Sequence, residues 1–370
     1  MAGSQRAGGH VQTILGIQVL RALAATAVAL SHFQFDLQRS FGLGAALPPL
    51  GFGNAGVDLF FVISGFVMVY ASEPLFGRRA GARRFFVRRL IRIVPIYWLV
   101  TTLYVVLAFT LPGRSDTYSA GSIVASYLFI PFPRPDGIMQ PVVGQGWTLN
   151  YEMLFYAVFA LAIAAPRNVA VARVALALGA AVGLGALFRL PEPLAFWCDP
   201  MLLEFVFGMG LGLLWRAGVR LPRAAGLLLV VAGIAGAWLA PWPDWGYSGL
   251  RFLAWGVPAT MVVAGVALAD LAAAPRWRPL VLLGEASYAL YLLHSIPVRA
   301  VLQGAAWAKL DVGAAPWLYL GLAIAGAIAL ALAVHLAFER PVTRALRRIA
   351  GSESPRGERA VAIDPASTKT

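Results

Sequence analysis

Apolar residues occur along this chain in long runs of about twenty, separated by short polar segments. An α-helix of that length crosses the hydrocarbon core of a bilayer. The runs predict ten transmembrane helices, near residues 14–33, 55–72, 91–111, 147–165, 170–189, 199–215, 224–240, 252–271, 280–302 and 315–338. The apolar segment 120–132 is shorter and runs into three prolines, so it predicts an interfacial or re-entrant piece.

Composition and charge agree with an all-α, polytopic membrane bundle. The 370 residues are 59% hydrophobic and only 13% charged, with a net charge of +13. In so apolar a chain we expect the arginines to set topology and to meet lipid or substrate phosphates, and we expect no nucleic-acid partner. Cys198 is the only cysteine, which excludes a disulfide framework and a redox pair. Neither a metal ion nor a permanently bound cofactor is expected.

The arginines also predict an orientation. If the N-terminus is cytoplasmic, most of the 30 Lys and Arg residues fall in inner segments, as membrane proteins generally require. Both termini are then cytoplasmic and the protein lies in the cell (inner) membrane. The predicted organisation is a cytoplasmic segment 1–13, a membrane domain 14–341 and a disordered cytoplasmic tail 342–370.

Two ionisable residues interrupt the first predicted helix, Arg21 near its middle and His32 at its outer end. Their spacing is close to three helical turns, so both lie on one face, roughly 16 Å apart along the axis. An arginine at mid-membrane depth normally faces a bundle interior or a wet cavity. The simpler interpretations are a structural ion pair for Arg21 and an interfacial histidine for His32.

The second predicted helix begins with Asp58 and carries Ser64 deeper in the membrane. Asp58 and His32 are predicted at similar depth, where a carboxylate would orient the imidazole and raise its basicity. The alternative for Asp58 is a charge favoured by the helix dipole. Ser64 is a weak nucleophile candidate, because the sequence assigns it no nearby base.

Polar residues at other span ends complete the candidates. Seven arginines fall within residues 78–92, and the last three, Arg88, Arg89 and Arg92, run into the membrane. Because arginine binds phosphate with two parallel hydrogen bonds, they predict a site for a phosphorylated donor; a topology-setting loop is the alternative.

An intramembrane carboxylate is a functional candidate by default. The remaining candidates are Glu152 and Glu204, with Trp147, Tyr156, Tyr288 and His294.

Several strings together resemble the acyltransferase-3 family of membrane acyltransferases, in the order that family shows. They are Arg21-x10-His32, GVDLFFVISGF at 56–66, RRLIRIVPIYW at 88–98, WTLNYEMLFY at 147–156, EFVFG at 204–208, SYALYLLH at 287–294 and FERP at 338–341. The chain looks most similar to exopolysaccharide O-acetyltransferases, and the extra SGNH-type domain of some members is not expected.

The resemblance implies transfer of an acyl group, most commonly acetyl, from cytoplasmic acyl-CoA to a hydroxyl of an extracytoplasmic glycan or lipid-linked glycan. The arginines at 88, 89 and 92 would bind the CoA phosphates. His32 would be the general base or the covalent acyl carrier, Asp58 and Glu152 are further catalytic candidates, and Arg21 would line the passage of the pantetheine arm. Two other functions stay open: a secondary transporter, for which no repeated pair of broken helices is found, and a membrane component of a polysaccharide export system.

Overall fold

Helices lie at all ten predicted spans. The computed structural model describes residues 15–110, 118–134, 137–240, 249–271 and 277–351, and these residues contain no β-sheet. The predicted N-terminal segment 1–13 lies outside them. The α-helices are α1 Leu15–Phe41, α2 Ala55–Ala71, α3 Gly81–Thr110, α4 Ala120–Tyr127, α5 Trp147–Ala162, α6 Arg167–Leu187, α7 Leu194–Trp197, α8 Leu202–Arg216, α9 Arg223–Leu239, α10 Val257–Leu268, α11 Arg278–Glu285, α12 Ser287–Leu293, α13 Ser295–Trp307, α14 Pro316–Val334 and α15 Arg340–Ile349.

Within the described ranges, six helical segments are long and apolar enough to cross a membrane, and two further apolar helices are shorter. The six are Leu15–Phe41, Gly51–Ala71, Gly81–Thr110, Arg167–Leu187, Leu194–Arg216 and Pro316–Ile349. The segment predicted as an interfacial piece forms the eight-residue α4. Together these helices make a polytopic membrane bundle; the cytoplasmic location of both termini stays a prediction.

The third span begins earlier than its apolar run predicts. Helix α3 starts at Gly81, so Arg83, Arg84, Arg88 and Arg89 lie on a helix and not in a loop, whereas Arg78 and Arg79 precede it. Arginine is a good helix former, and nothing in 81–90 interrupts the helix. The spacing of Arg89 and Arg92 therefore places both on one helical face.

The ninth span is not the single helix that residues 280–302 predict, because it divides into α11, α12 and α13. Pro297 has no N–H for the carbonyl four residues earlier, and α12 ends at that residue, Leu293. The backbone N–H groups of Ala286, Leu290 and His294 still bond to carbonyls four residues back. The three pieces thus follow one path with two local breaks, and His294 stands at the second.

The predicted tail is partly helical. After α14 a π-helical turn, His335–Glu339, leads directly into α15, which ends at Ile349. The first residues of the segment 342–370 are therefore ordered, because apolar side chains of α15 such as Leu346 pack towards α3. Residues 352–370 lie outside the described chain.

Helices α2 and α8 pack closely because each has a glycine, which carries no Cβ, where the two helices cross. A Cβ at Gly65 would lie 2.1 Å from the Phe205 carbonyl oxygen, and one at Gly208 would lie 2.0 Å from the Val62 carbonyl oxygen. Only glycine fits such a crossing, the arrangement that membrane helices commonly use to associate. The ring of Phe205 stacks at 4.6 Å on Phe61 of α2. This tight packing holds α2 in place as one wall of the pocket described next.

Candidate active site

A pocket lies between α1, α2, α3, α5 and α12 and contains about 760 Å³ of empty space, its open mouth included. Three arginines, Arg21, Arg89 and Arg92, line one part, here called the basic end. Thr148 and Tyr291 line another part, here called the hydroxyl end. Between the two ends the lining contains Ser64, Glu152, Tyr156 and Tyr288. The lining of the pocket therefore combines a cationic part, formed by the three arginines, with a neutral polar part, formed by Thr148 and Tyr291.

The basic end has the features of an anion-binding site. The Arg89 guanidinium carbon lies 5.6 Å from the Phe85 ring and 5.9 Å from the Tyr156 ring, which hold it in place. Its Nε is buried and has no partner within the described chain. Arg21 donates from Nη1 to Gln18 at 3.3 Å. None of the three arginines forms a salt bridge in the described ranges, so the positive charge faces the pocket.

A hydrogen-bonded triplet occupies the middle of the pocket. The Ser64 hydroxyl donates to Glu152 Oε1 at 3.1 Å and lies 3.4 Å from the Tyr156 hydroxyl. Tyr156 also donates to the same carboxylate oxygen. The sequence assigned Ser64 no nearby base, and the structure places Glu152, 88 residues away, as the acceptor of its hydrogen bond. The triplet offers a carboxylate and two hydroxyls to a ligand in the pocket.

At the hydroxyl end, two side chains share one backbone acceptor. The hydroxyls of Thr148 and Tyr291 are 3.1 Å apart, and each lies 3.1 Å from the Gln145 carbonyl oxygen. The Gln145 amide donates to the hydroxyl of Ser295, the neighbour of His294. The pocket thus ends beside the break between α12 and α13.

Two histidines adjoin this end of the pocket. The rings of His32 and His294 meet edge to face with centroids 4.9 Å apart, and the Tyr291 ring lies 6.4 Å from that of His294. His32 Nδ1 bonds to the Val28 carbonyl oxygen at 2.9 Å. A carbonyl only accepts, so Nδ1 carries the proton and Nε2 presents a lone pair. His32 is therefore held in the tautomer that a general base at Nε2 requires.

Asp58 has a different partner from the one its depth suggested. Both of its oxygens accept from Arg251, at 3.0 Å from Nε and 2.7 Å from Nη2. No hydrogen bond joins Asp58 to His32, so the predicted carboxylate–imidazole pair is wrong. The carboxylate is fully buried and Arg251 nearly so. A buried charge needs a partner of this kind, which gives Asp58 a structural explanation.

Two further candidates belong to the same buried cluster and do not line the pocket. The carboxyl of Glu204 is fully buried and interacts electrostatically with Asp58 and Arg251. Its side chain packs against Gly256, where an added Cβ would lie 2.8 Å from the Glu204 Cγ. The Trp147 ring lies 5.9 Å from the Arg251 guanidinium. This cluster ties α2 and α8 to the segment that leads into α10.

The structure divides the remaining sequence candidates. Tyr288 lines the pocket and donates to the Ile93 carbonyl at 3.1 Å, whereas Arg88 is half-buried and lies outside the lining. Thr148 and Arg251 were not among the residues predicted from the sequence. The only sequence signal for Arg251 was its place on the predicted outer side directly before a span, where arginine is uncommon.

Comparisons with known proteins indicate one family of acyltransferases. A family model described as an acyltransferase domain, that of the acyltransferase-3 family, matches residues 14–336. The exopolysaccharide production protein ExoZ of Rhizobium meliloti (strain 1021) is 36% identical over 298 residues, which cover 79% of this chain and 90% of that protein.

Two further relatives are less similar in sequence. The acyltransferase MdmB of Streptomyces mycarofaciens is 27% identical over 377 residues, covering 92% of this chain and 93% of MdmB. The peptidoglycan O-acetyltransferase OatA of Listeria monocytogenes is 23% identical over 333 residues, covering 79% of this chain and 51% of OatA. No solved structure matches the chain.

Proposed function

Because the chain belongs to the acyltransferase-3 family, we propose that this multi-pass membrane acyltransferase moves an acetyl group from cytoplasmic acetyl-CoA to a hydroxyl of an extracytoplasmic glycan. The similarity to an exopolysaccharide production protein supports exopolysaccharide as the acceptor. The observation that carries the proposal is one pocket lined by three arginines and by Tyr291, whose ring lies 6.4 Å from that of His294, the ring neighbour of His32.

The basic end binds the phosphates of the donor. Arg89 and Arg92 face the pocket one helical turn apart, and guanidinium groups suit phosphate oxygens. The pantetheine arm then passes Arg21 and the Ser64–Glu152–Tyr156 triplet, whose donors and acceptors match its amides. This route uses Arg21 as a hydrogen-bond donor to the arm and not as half of an ion pair, since it forms no salt bridge in the described chain.

The chemistry takes place at His32, which lies beyond Tyr291 and His294 from the pocket lining. Nε2 of His32 accepts the proton of the acceptor hydroxyl as its oxygen attacks the thioester carbonyl. The new O–C bond forms, the C–S bond breaks, and the thiolate leaves with the electron pair. The proton on His32 then passes to the thiolate or to solvent, so that CoA leaves as the free thiol. The bare Nε2 lone pair supports the general-base role; an acyl-imidazole at the same atom is the alternative.

A purified reaction tests the proposal. The protein in lipid nanodiscs is mixed with acetyl-CoA and with the source strain's exopolysaccharide after removal of its O-acetyl groups by mild base. We expect release of CoA thiol that depends on the polysaccharide, with acetyl esters appearing on the glycan by mass spectrometry. Succinyl-CoA in a parallel reaction tests the choice of acyl group. Intact acetyl-CoA and an unmodified glycan, with protein that binds CoA, would contradict the proposal.

A further inference from the structure

An ion pair lies one helical turn beyond His32 on α1. Asp36 follows His32 by four residues, so the two side chains are neighbours on one face of the helix. Along α1, His32 lies between Arg21 and Asp36, which places Asp36 on the side of His32 away from the basic end of the pocket. Oδ2 of Asp36 lies 3.6 Å from Nε of Arg299 on α13.

Close packing of α1 against α13 fixes the positions of the two charged residues. Phe33 and Leu37 of α1 are fully buried in one apolar cluster with Val298 of α13. Asp36 directly precedes Leu37 in the chain. In the same way, Arg299 directly follows Val298. The ion pair therefore lies at the edge of a well-packed helix interface.

This ion pair is open, unlike the buried pair that Asp58 forms. Both carboxylate oxygens of Asp58 accept from Arg251, at 3.0 and 2.7 Å. Asp36 accepts no hydrogen bond within the described chain, although its side chain is only 13% exposed. A carboxylate that loses water costs free energy unless other hydrogen bonds replace those to water. A contact of 3.6 Å is too long to replace them, so the ion pair alone does not explain Asp36.

We propose that Asp36 and Arg299 bind a sugar ring of the glycan acceptor and hold the hydroxyl that is acetylated at His32. This inference rests on the proposed function. The two carboxylate oxygens accept from two adjacent hydroxyls of the ring, and the guanidinium donates to a hydroxyl oxygen. His32 and Asp36 are separated along the axis by one helical turn, about 5.4 Å, which is close to the width of a pyranose ring. A ring bound at Asp36 therefore presents a hydroxyl of its opposite edge to His32.

The surroundings of the pair are those of a sugar-binding site. Asp36 and Arg299 carry opposite charges, so the site as a whole is neutral, and the Arg299 side chain is 53% exposed and accessible to a ligand. Tyr104 of α3 is half-buried and close enough to interact electrostatically with both. Its ring offers an apolar face to the C–H groups of a sugar, and its hydroxyl offers a polar end. Both charged groups also act electrostatically on His32, so the site adjoins the proposed base.

The test measures acceptor binding separately from transfer. Oligosaccharides cut from the de-O-acetylated exopolysaccharide are titrated by calorimetry against the protein in nanodiscs, and kcat and both KM values are measured with acetyl-CoA. The variants are Asp36→Asn, Arg299→Gln and the double variant Asp36→Arg with Arg299→Asp, which exchanges the two charges. Glu73→Gln is the matched control, because Glu73 also forms an exposed ion pair, with Arg167 at 3.2 Å, but follows the opposite end of α2 from Asp58.

We expect the Kd and the KM for the oligosaccharide to rise about 10- to 100-fold in both single variants, which is the loss of a charged hydrogen bond. Tm and the Kd for acetyl-CoA should stay near wild type, and Glu73→Gln should match wild type throughout. The charge exchange restores an ion pair but not a sugar site, so the double variant should also bind the oligosaccharide weakly.

Three results would overturn the inference: wild-type oligosaccharide affinity in Asp36→Asn, restored affinity in the double variant, or no oligosaccharide binding by the wild-type protein. Wild-type protein that binds the oligosaccharide but transfers no acetyl group to it would instead contradict the proposed function.

Discussion

Replacing Arg89 by lysine separates phosphate recognition from charge alone. The Arg89 guanidinium is flanked by the Phe85 and Tyr156 rings, and its Nε is buried without a protein partner in the described chain. Lysine keeps the positive charge, and with it the topology signal, but loses the planar fork. We therefore expect correct insertion and weaker binding of acetyl-CoA.

The size of the expected loss in acetyl-CoA affinity follows from the hydrogen bond to phosphate that the substitution removes. A hydrogen bond between a charged donor and a phosphate contributes about 1.5–3 kcal/mol. Since 1.36 kcal/mol is a tenfold change, the Kd for acetyl-CoA should rise by about 10- to 150-fold in Arg89→Lys. The loss should be larger in Arg89→Ala, which removes the charge as well.

Two donors and one control variant make the assay specific. Acetyl-CoA is compared with acetyl-pantetheine, which has the thioester and arm but no nucleotide phosphates. The predicted loss should appear with acetyl-CoA and disappear with acetyl-pantetheine. Arg83→Lys, at an exposed position of α3, should bind both donors as wild type does. An equal loss with both donors, or no loss in correctly inserted Arg89→Lys, would refute the assignment of Arg89 to the phosphates.

Three further predictions concern the helices around the pocket. Asp58→Ala leaves Arg251 buried without its carboxylate, so it should lower stability by about 3–5 kcal/mol, seen as a lower Tm in detergent; kcat lost from fully stable protein would instead make Asp58 catalytic. Gly208→Ala should lower Tm because its Cβ would lie 2.0 Å from a carbonyl oxygen of α2, whereas Gly210→Ala, with nothing within 4 Å of its Cβ, should not; equal Tm values would contradict the close crossing. Glu152→Gln should lower kcat at unchanged Tm, because the hydroxyls of the triplet lose their anionic acceptor; wild-type kcat would remove the triplet from the mechanism.

Hydropathy was sufficient to locate the helices because bilayer length imposes a strong constraint on each run. It was less informative about helix boundaries. Helix α3 begins at Gly81 within an arginine-rich segment, since helical propensity and not apolarity decides that end. Because proline has no backbone N–H, Pro297 indicates a break four residues earlier. The continuous apolar run around it predicted a single helix instead.

The pairing of side chains was the least predictable feature. Arg251 and Asp58 are 193 residues apart, and Ser64 and Glu152 are 88 apart. Depth in the membrane follows from position along a span, and it predicted a pair between Asp58 and His32. Which helices are neighbours depends on packing, such as the glycine crossing of α2 and α8, and hydropathy does not encode it.

Complementation of a deletion strain tests the central claim most directly. The strain receives the wild-type gene, His32→Ala or the control Arg83→Lys, and the O-acetyl content of its surface polysaccharide is measured by NMR alongside the amount of protein in the membrane. Loss of a positioned base lowers the rate by about 10² to 10⁴. We therefore predict full O-acetylation with wild type and Arg83→Lys, and none above the deletion background with His32→Ala. Near-normal O-acetylation by membrane-inserted His32→Ala would contradict the account.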